Sequence, residues 1–445
     1  MSKTLRLILV VTVALVLLVS ALLAQEANAP AVDRAKKQAV VDEIATLLDA
    51  NYIFPETAKK MEETLRARLT SGGYDAFDRA PAFAQALSKD LLEVSKDRHI
   101  GFAYNPGMAG NLRRFSSRSE DEVKRAREQQ LLESKRDNFG FRKVERLQGN
   151  IGYLDFRVFE SAADAAPTAI AALNFLAYCD AVIVDLRQNG GGDTTGIQLI
   201  CSYFFDEPSH LNDIYIRSTD ATENYWTLPY VPGPKPSRAD LYILTSARTF
   251  SGAEEFSYNM QNLKRGTIIG ETTGGGAHPT TSKIVQNDFI LRVPFARAIN
   301  PISKTNWEGT GVKPDVAVPA AEAFDRAYAM AVEKLAGKAT DPERKAEYEW
   351  ILAGEKAKRN PPRVDAKTLK TYAGEYGERK VTFENGALFY QRTGPNYRLI
   401  PMTATLFALD GLDSFRIEFV VKDGKSVELL GLYDNGGRDP SPRTK

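Results

Sequence analysis

Apolar residues recur at helical spacing along the first hundred residues of the chain. The segments with this pattern are 32–51, 56–71 and 81–94. They predict a small helical domain over residues 30–104. The stretch that follows, to about residue 150, is polar and Arg-rich, and we interpret it as an arm because it is too short and polar for a further domain of ordinary size.

From Ile151 onward the pattern changes to short apolar runs that alternate with helical segments. The run AVIVDL at 181–186 is almost continuously apolar, which is typical of a strand buried on both faces of a parallel sheet. Strands alternating with helices predict an α/β core over residues 105–338. The predicted strands are 151–159, 181–186, 241–245 and 267–271, and the predicted helices include 162–176 and 252–263.

The last hundred residues follow a third pattern. Residues 339–363 are highly charged and end in Pro361-Pro362, which indicates a helical linker. Beyond it, Asn385-Gly386 and Asp423-Gly424 each lie between alternating segments, and such pairs are strong signals for hairpin turns. Residues 364–445 are therefore predicted to form a small antiparallel β domain, either a barrel or a sandwich.

The balance of charges gives no support for nucleic-acid binding, and the N-terminal residues predict export. The 445 residues carry 58 Lys and Arg against 57 Asp and Glu, so no excess of charge favours nucleic acid. Lys3 and Arg6 precede an apolar stretch at 7–23 and then small residues, which predicts a signal peptide over residues 1–29 and export to a periplasmic or secreted location. The alternative is an uncleaved segment that anchors the chain in the membrane.

Cysteine and histidine are scarce. Cys179 and Cys201 lie in apolar surroundings, and a disulfide and two buried thiols are both compatible with export. The three histidines and two cysteines show no metal-ligand spacing. No metal or organic cofactor is therefore predicted.

Ser251 lies in a Thr-Phe-Ser-Gly turn between a predicted strand and a predicted helix. This position would present its hydroxyl at a helix N-terminus, where N–H groups favour negative charge. Ser251 and Glu254 also match the S-x-x-E capping box, and the motif by itself favours a cap over a nucleophile. The G-x-S-x-G elbow is absent, because Thr249 and Ala253 occupy its glycine positions.

Other residues could complete a nucleophilic site. Gly190-Gly191-Gly192 follows a buried strand, and an N–H near Gly191 together with that of Gly252 could bind an oxyanion. His99 is a candidate base and His278 is its rival, and spacing does not decide between them. Glu308, in a glycine-flanked loop, could orient an imidazole, although by itself it reads as a solvated loop carboxylate.

Together these segments resemble the S41 serine peptidases, the family of the C-terminal processing peptidases and the tricorn core protease. The resemblance covers about residues 32–320 and is closest to the branch related to interphotoreceptor retinoid-binding protein. It is carried by DRHIGF (97–102), GNIGYLDF (149–156), AVIVDLRQNGGG (181–192), TSARTFSGAEEF (245–256), GETTGGGAHP (270–279) and AINPISKTNWEGTGVKPDV (298–316).

The resemblance implies a spiral α/β core of the ClpP/crotonase type and a peptidase with Ser251 as nucleophile, His99 as base and Glu308 as the acidic member. Two departures matter. The 270–279 segment lacks the lysine that the processing peptidases use, which favours the tricorn-like Ser–His–Glu arrangement, and the arm is too short for their PDZ domain. We expect hydrolysis of unfolded or short peptides. The alternative is a non-catalytic binder of an apolar ligand or peptide on the same fold.

Overall fold

The computed structural model describes residues 29–445. All of the predicted signal peptide except Ala29 lies outside the described residues. Within them, no helix is both long enough and apolar enough to cross a bilayer.

The described helices and strands, numbered in chain order, have the following bounds. The helices are α1 (Arg34–Asn51), α2 (Pro55–Thr70), α3 (Ala80–Ser95), α4 (Pro106–Ser116), α5 (Glu120–Arg136), α6 (Ala162–Phe175), α7 (Thr194–Ser202), α8 (Gly252–Asn262), α9 (Ala323–Lys338), α10 (Pro342–Arg359) and α11 (Ala366–Tyr372). The strands are β1 (Gly101–Tyr104), β2 (Phe141–Leu147), β3 (Ile151–Phe156), β4 (Ala181–Asp185), β5 (His210–Ile216), β6 (Ala221–Trp226), β7 (Asp240–Thr245), β8 (Gly266–Gly270), β9 (Thr280–Val285), β10 (Phe289–Pro294), β11 (Ala296–Ile299), β12 (Val316–Ala317), β13 (Gly374–Tyr376), β14 (Arg379–Glu384), β15 (Ala387–Gln391), β16 (Tyr397–Pro401), β17 (Leu406–Leu409), β18 (Leu412–Lys422), β19 (Lys425–Tyr433) and β20 (Arg438–Pro442).

A six-stranded sheet forms the centre of the molecule. Its strand order is β12-β8-β7-β4-β3-β2, and all neighbours run parallel except β2, which pairs antiparallel with β3 at the edge. Apolar side chains of α6, α7 and α8 pack on one face, and those of α9 and α10 pack on the other. Burial on both faces explains the continuous apolar run of β4, as the sequence predicted.

The N-terminal helices α1–α3 pack around their own apolar core, and this core includes residues of β1 and β10. The same two strands pair antiparallel, with β9 beyond β10. A chain segment from the middle of the sequence therefore completes the N-terminal core. The three predicted helices and the predicted strands 181–186, 241–245 and 267–271 are confirmed to within about two residues at their ends, which is the usual uncertainty.

The segments predicted as arm and linker both contain helices. The arm holds α4 and α5, and α5 has no buried residue. The charged segment 339–363 holds α10, whose Tyr348 and Ile351 are 3% and 5% exposed in the apolar cluster beneath the central sheet. In the sequence, the many charged residues of this segment obscure the apolar positions that α10 buries.

The C-terminal domain is a closed antiparallel barrel. Its eight strands, β13 to β20, pair in sequence order. Thr444 and Lys445 hydrogen-bond to Glu375 of β13, and Arg443 pairs with Tyr376 in a β-bridge. Asn385 and Gly386 have φ values of 48° and 82°, as a type I′ hairpin requires. The predicted fold class, an α/β core with a helical N-terminal domain and a small all-β C-terminal domain, is confirmed.

Candidate active site

Three loops begin at the C-terminal ends of strands in the central sheet. They follow the neighbouring parallel strands β4, β7 and β8, whose C-terminal ends are in register: Asp185 pairs with Leu244, and Leu244 with Ile269. The loops carry Gly190–Gly192, Ser251 and Gly274–Gly276. Their backbones are tied together, since Phe250 N–H donates to the Asn189 carbonyl and Gly274 N–H to the Thr249 carbonyl.

Ser251 has an unusual backbone conformation. Its φ of 54° and ψ of −121° lie outside the regions that an L-residue favours. Glu254 N–H donates to the Ser251 carbonyl at 2.8 Å, and no capping hydrogen bond uses the Ser251 hydroxyl. Both contacts of a capping box are present between Ser251 and Glu254, but only the one from Ser251 N–H to the Glu254 carboxylate, at 2.8 Å, has the geometry of a hydrogen bond.

The glycine loop after β4 lies directly against the serine turn. A Cβ atom at residue 191 would lie 2.6 Å from the Gly252 nitrogen and 2.9 Å from the Ser251 Cβ, so only glycine fits there. Gly191 N–H is already engaged, because it donates to Asn189 Oδ1 at 2.9 Å. Among the hydrogen bonds of residues 29–445, the N–H groups of Gly192 and Gly252 have no acceptor.

Glu254 is a buried hub that the sequence identified only as a capping residue. Its carboxylate accepts from the N–H groups of Ser251, Gly275 and Gly276 and from the Thr273 hydroxyl. Burial raises the pKa of Glu254, and these hydrogen bonds oppose the rise. The carboxylate thus fixes the serine turn to the loop after β8.

His99 reaches the site from the N-terminal domain, between α3 and β1. Its Nδ1 lies 3.4 Å from Oε2 of Glu308, and both side chains are almost buried. Glu308 is held by the N–H groups of Arg98 and Ala277, at 3.2 and 2.6 Å. The His99 ring lies 5.0 Å from that of Phe250, the residue before Ser251, and no hydrogen bond joins His99 to Ser251 in the described structure.

His278 lies on the other side of Glu308. Its Nδ1 is 2.7 Å from Asp97 Oδ2 and 3.6 Å from Glu308 Oε2, and its ring packs against Phe54 of the N-terminal domain. Burial alone would raise the pKa of Asp97, but the hydrogen bond and charge of His278 lower it below its usual value. Asp97 thus belongs to the same buried network, and its position two residues before His99 was the only signal in the sequence.

Among the described residues, the group that most resembles a metal-ligand set consists of Asp97, His278 and Glu308. Each offers one ligand atom, and these atoms lie within 4.8 Å of one another. The hydrogen bond between Asp97 and His278 already accounts for their approach.

Two family models match this chain, one over the N-terminal domain and one over the central sheet. The model for peptidase family S41 matches residues 150–318, and the model for the N-terminal domain of S41 peptidases in eukaryotic interphotoreceptor retinoid-binding protein matches residues 25–133. The chain belongs to peptidase family S41. The matched regions include Ser251, Glu308 and His99, and the predicted resemblance is confirmed.

Individual relatives are more distant. The tail-specific protease of Haemophilus influenzae is 34% identical over 103 residues, which is 22% of this chain and 13% of that protein. The photosystem II D1 C-terminal processing protease is 16% identical, with a TM-score of 0.41 over 64% of this chain and 93% of that chain. The tricorn protease is 15% identical, with a TM-score of 0.40 over 67% of this chain and 37% of its own.

Proposed function

We propose that this S41 family member is a serine peptidase in which Ser251 is the nucleophile. The observation that supports this most is the strained Ser251 turn, whose hydroxyl makes no capping bond and which lies beside two N–H groups without acceptors. A helix cap needs no such strain, and strained backbone is concentrated at functional sites.

The oxyanion hole is proposed to consist of the N–H groups of Gly192 and Gly252. This replaces the sequence-based choice of Gly191, whose N–H is occupied by Asn189. Gly191 still matters, because its missing Cβ lets the loop approach the serine turn. Both proposed donors lie at the N-terminus of α8 or against it, where the helix dipole also favours negative charge.

His99 is proposed as the general base. The proposal requires the His99 tautomer with its proton on Nδ1, directed at Glu308 Oε2, in place of the 3.4 Å contact in which Nδ1 accepts from the His278 backbone N–H. Nε2 is then the acceptor for the serine proton, and Glu308 stabilises the imidazolium. His99 is preferred over His278 because its ring contacts Phe250, next to Ser251, whereas His278 packs against Phe54. The Ser251–His99 hydrogen bond is expected to form when substrate binds, as catalytic hydrogen bonds often tighten only then.

The substrate is proposed to be an unfolded or short peptide, and the chain is proposed to be exported through its N-terminal segment. No cofactor takes part in the proposed reaction. A non-catalytic binder on the same fold would gain nothing from burying the ionisable side chains of Asp97, His99 and His278, with Glu308 almost buried among them, near a strained serine, since burial of such groups is costly.

Hydrolysis of a quenched fluorescent peptide pool tests this function. We expect Ser251→Ala to lower the rate by about 10⁴-fold or more, as loss of a triad member does. Ser116→Ala, on the exposed helix α4, is the matched control and should hydrolyse the pool like the wild type. A folded wild type that cleaves nothing, or equal rates for wild type and Ser251→Ala, would contradict the assignment.

A further inference from the structure

A cavity of about 440 Å³ lies where the C-terminal barrel meets the α/β core. The turn between β2 and β3, helices α9 and α10, and barrel strand β18 contribute its walls. Among the described residues that line it, none belongs to the loops of Ser251, His99 or Glu308, so it is separate from the candidate active site. Its volume is within the range of about 300–1,000 Å³ that is common for small-molecule sites, which often lie between domains.

Arg416 of β18 is the one buried charge among the described residues that line this cavity. The residue is 6% exposed, and its guanidinium lies 3.7 Å from the centre of the Trp350 ring. Its Nη2 donates to the Trp350 carbonyl, and among the hydrogen bonds and ion pairs of residues 29–445 its Nε and Nη1 have no acceptor. A buried guanidinium is normally paired with an anion. These two groups therefore remain available to a molecule in the cavity.

The other charged side chains around the cavity are already paired or exposed. Lys358 lies 3.1 Å from Glu355 and 2.9 Å from Asp413. Asp413 is the carboxylate whose charge acts on Arg416, but its side chain is 52% exposed and bonded to Lys358, so water and Lys358 weaken its effect. Burial lowers the pKa of Arg416 to about 10 despite Asp413. The charge of Arg416 is therefore balanced only in part by the described residues.

Aromatic rings form part of the wall. The rings of Phe324 and Tyr328, on α9, are stacked with 6.2 Å between their centres, and the Tyr328 hydroxyl donates to the Gln148 carbonyl at 3.3 Å. On α10, a Cβ atom at residue 354 would lie 3.1 Å from Nη2 of Arg416, which is closer than an ordinary contact. Glycine weakens a helix interior, and here it leaves room for the guanidinium. The cavity thus combines an incompletely paired cation with flat apolar surfaces.

We propose that this cavity binds a small organic acid, whose carboxylate pairs with Arg416 and whose apolar body packs against Phe324 and Tyr328. Whichever N–H of Nη2 bonds the Trp350 carbonyl, the other one and a free neighbour, Nε or Nη1, still form the two-donor fork that a carboxylate accepts. The ligand would contact the barrel and the core together, so its binding would strengthen their attachment. This inference goes beyond the proposed peptidase function and does not depend on it.

Isothermal titration calorimetry of the full chain with 3-phenylpropanoate and with its uncharged amide, 3-phenylpropanamide, tests recognition of the carboxylate. For the wild type we expect a Kd of about 1 mM or lower for the acid, and an affinity for the acid about tenfold or more above that for the amide, because charge-assisted hydrogen bonds are the stronger ones. Arg416→Gln should remove most of this difference. Arg125→Gln, on the exposed helix α5, is the matched control and should bind like the wild type.

Tryptophan fluorescence locates the site, since Trp350→Phe keeps an aromatic ring beside Arg416 but removes the indole from the cavity wall. The acid should change the fluorescence of the wild type and of Trp226→Phe, but not that of Trp350→Phe, which should still bind it in the calorimeter. Urea unfolding shows whether Arg416→Gln is folded, and the comparison of acid with amide on the wild type needs no variant. Failure of the wild type to bind the acid, equal affinities for acid and amide, or a fluorescence change that persists in Trp350→Phe would overturn the proposal.

Discussion

At the scale of single residues, the most informative feature is a backbone angle that no sequence pattern shows. Ser251 is held at φ 54° by the loops around it, and such a conformation costs about 1–3 kcal/mol. From the sequence, Ser251 and Glu254 formed a plausible capping box. The structure keeps the carboxylate half of that box and leaves the hydroxyl without a capping bond.

Replacing Ser251 should reveal this strain. We expect Ser251→Gly to be more stable than Ser251→Ala by about 1 kcal/mol, because glycine adopts positive φ freely and the relief exceeds its entropic cost. Urea unfolding measures the difference. On the exposed helix α5 the order should reverse, with Gln129→Gly less stable than Gln129→Ala. The same order at both positions would mean that Ser251 carries no strain.

The sequence predicted the site residues that lie in recognisable motifs. It did not predict the roles that depend on the orientation of an amide or a carboxylate. Ser251, His99 and Glu308 were all candidates before the fold was known, and the structure brings Glu308 to His99 across 209 positions. The engagement of Gly191 N–H by Asn189, and the fourfold acceptance of hydrogen bonds by Glu254, depend on which way an amide or carboxylate points. Residue spacing does not encode that.

At the scale of elements, helix α8 concentrates the chemistry on its first turn. Ser251 precedes its first residue, Glu254 fixes the loop after β8, and Glu255 is buried beside the Asn212 amide. The sequence predicted α8 and its flanking strands because their apolar patterns are continuous. It did not predict β5 and β6, in which polar and apolar residues are mixed, and β6 is mostly exposed.

The buried Glu255 should make the stability of the protein depend on pH. Its folded pKa of about 7 lies above its ordinary value of 4.5, so the native state holds its proton longer than the unfolded chain and loses stability as the pH rises from 4.5 to 7. Glu255→Gln should therefore match the wild type near pH 4 and exceed its unfolding free energy at pH 8, by about 3 kcal/mol at most.

Urea denaturation at both pH values measures this difference, with Glu128→Gln on the exposed helix α5 as the control that should show no such change. A stability difference between Glu255→Gln and wild type that is the same at pH 4 and pH 8 would show that the Glu255 carboxylate is not held at a raised pKa.

At the scale of the whole molecule, the candidate site is assembled from two structural units. Ser251 and the glycine loops belong to the central sheet, whereas His99 and Asp97 follow the last N-terminal helix. Arg292 of β10 donates to the His99 carbonyl at 2.6 Å, and Tyr52 of the N-terminal domain donates to Asp97 at 3.2 Å. The order of domains was readable from composition and periodicity, but the contact that joins them comes from β10 pairing with β1, which is a long-range event.

The most direct test of the central claim is fluorophosphonate labelling of the folded full chain, with the modified residue located by peptide mass spectrometry. We predict one adduct, on Ser251. Its rate of formation should be lower than in the wild type by about 10³-fold or more in His99→Ala, and by a much smaller factor in His278→Ala. Absence of an adduct on Ser251, or labelling that depends on His278 and not on His99, would contradict a Ser251–His99–Glu308 peptidase.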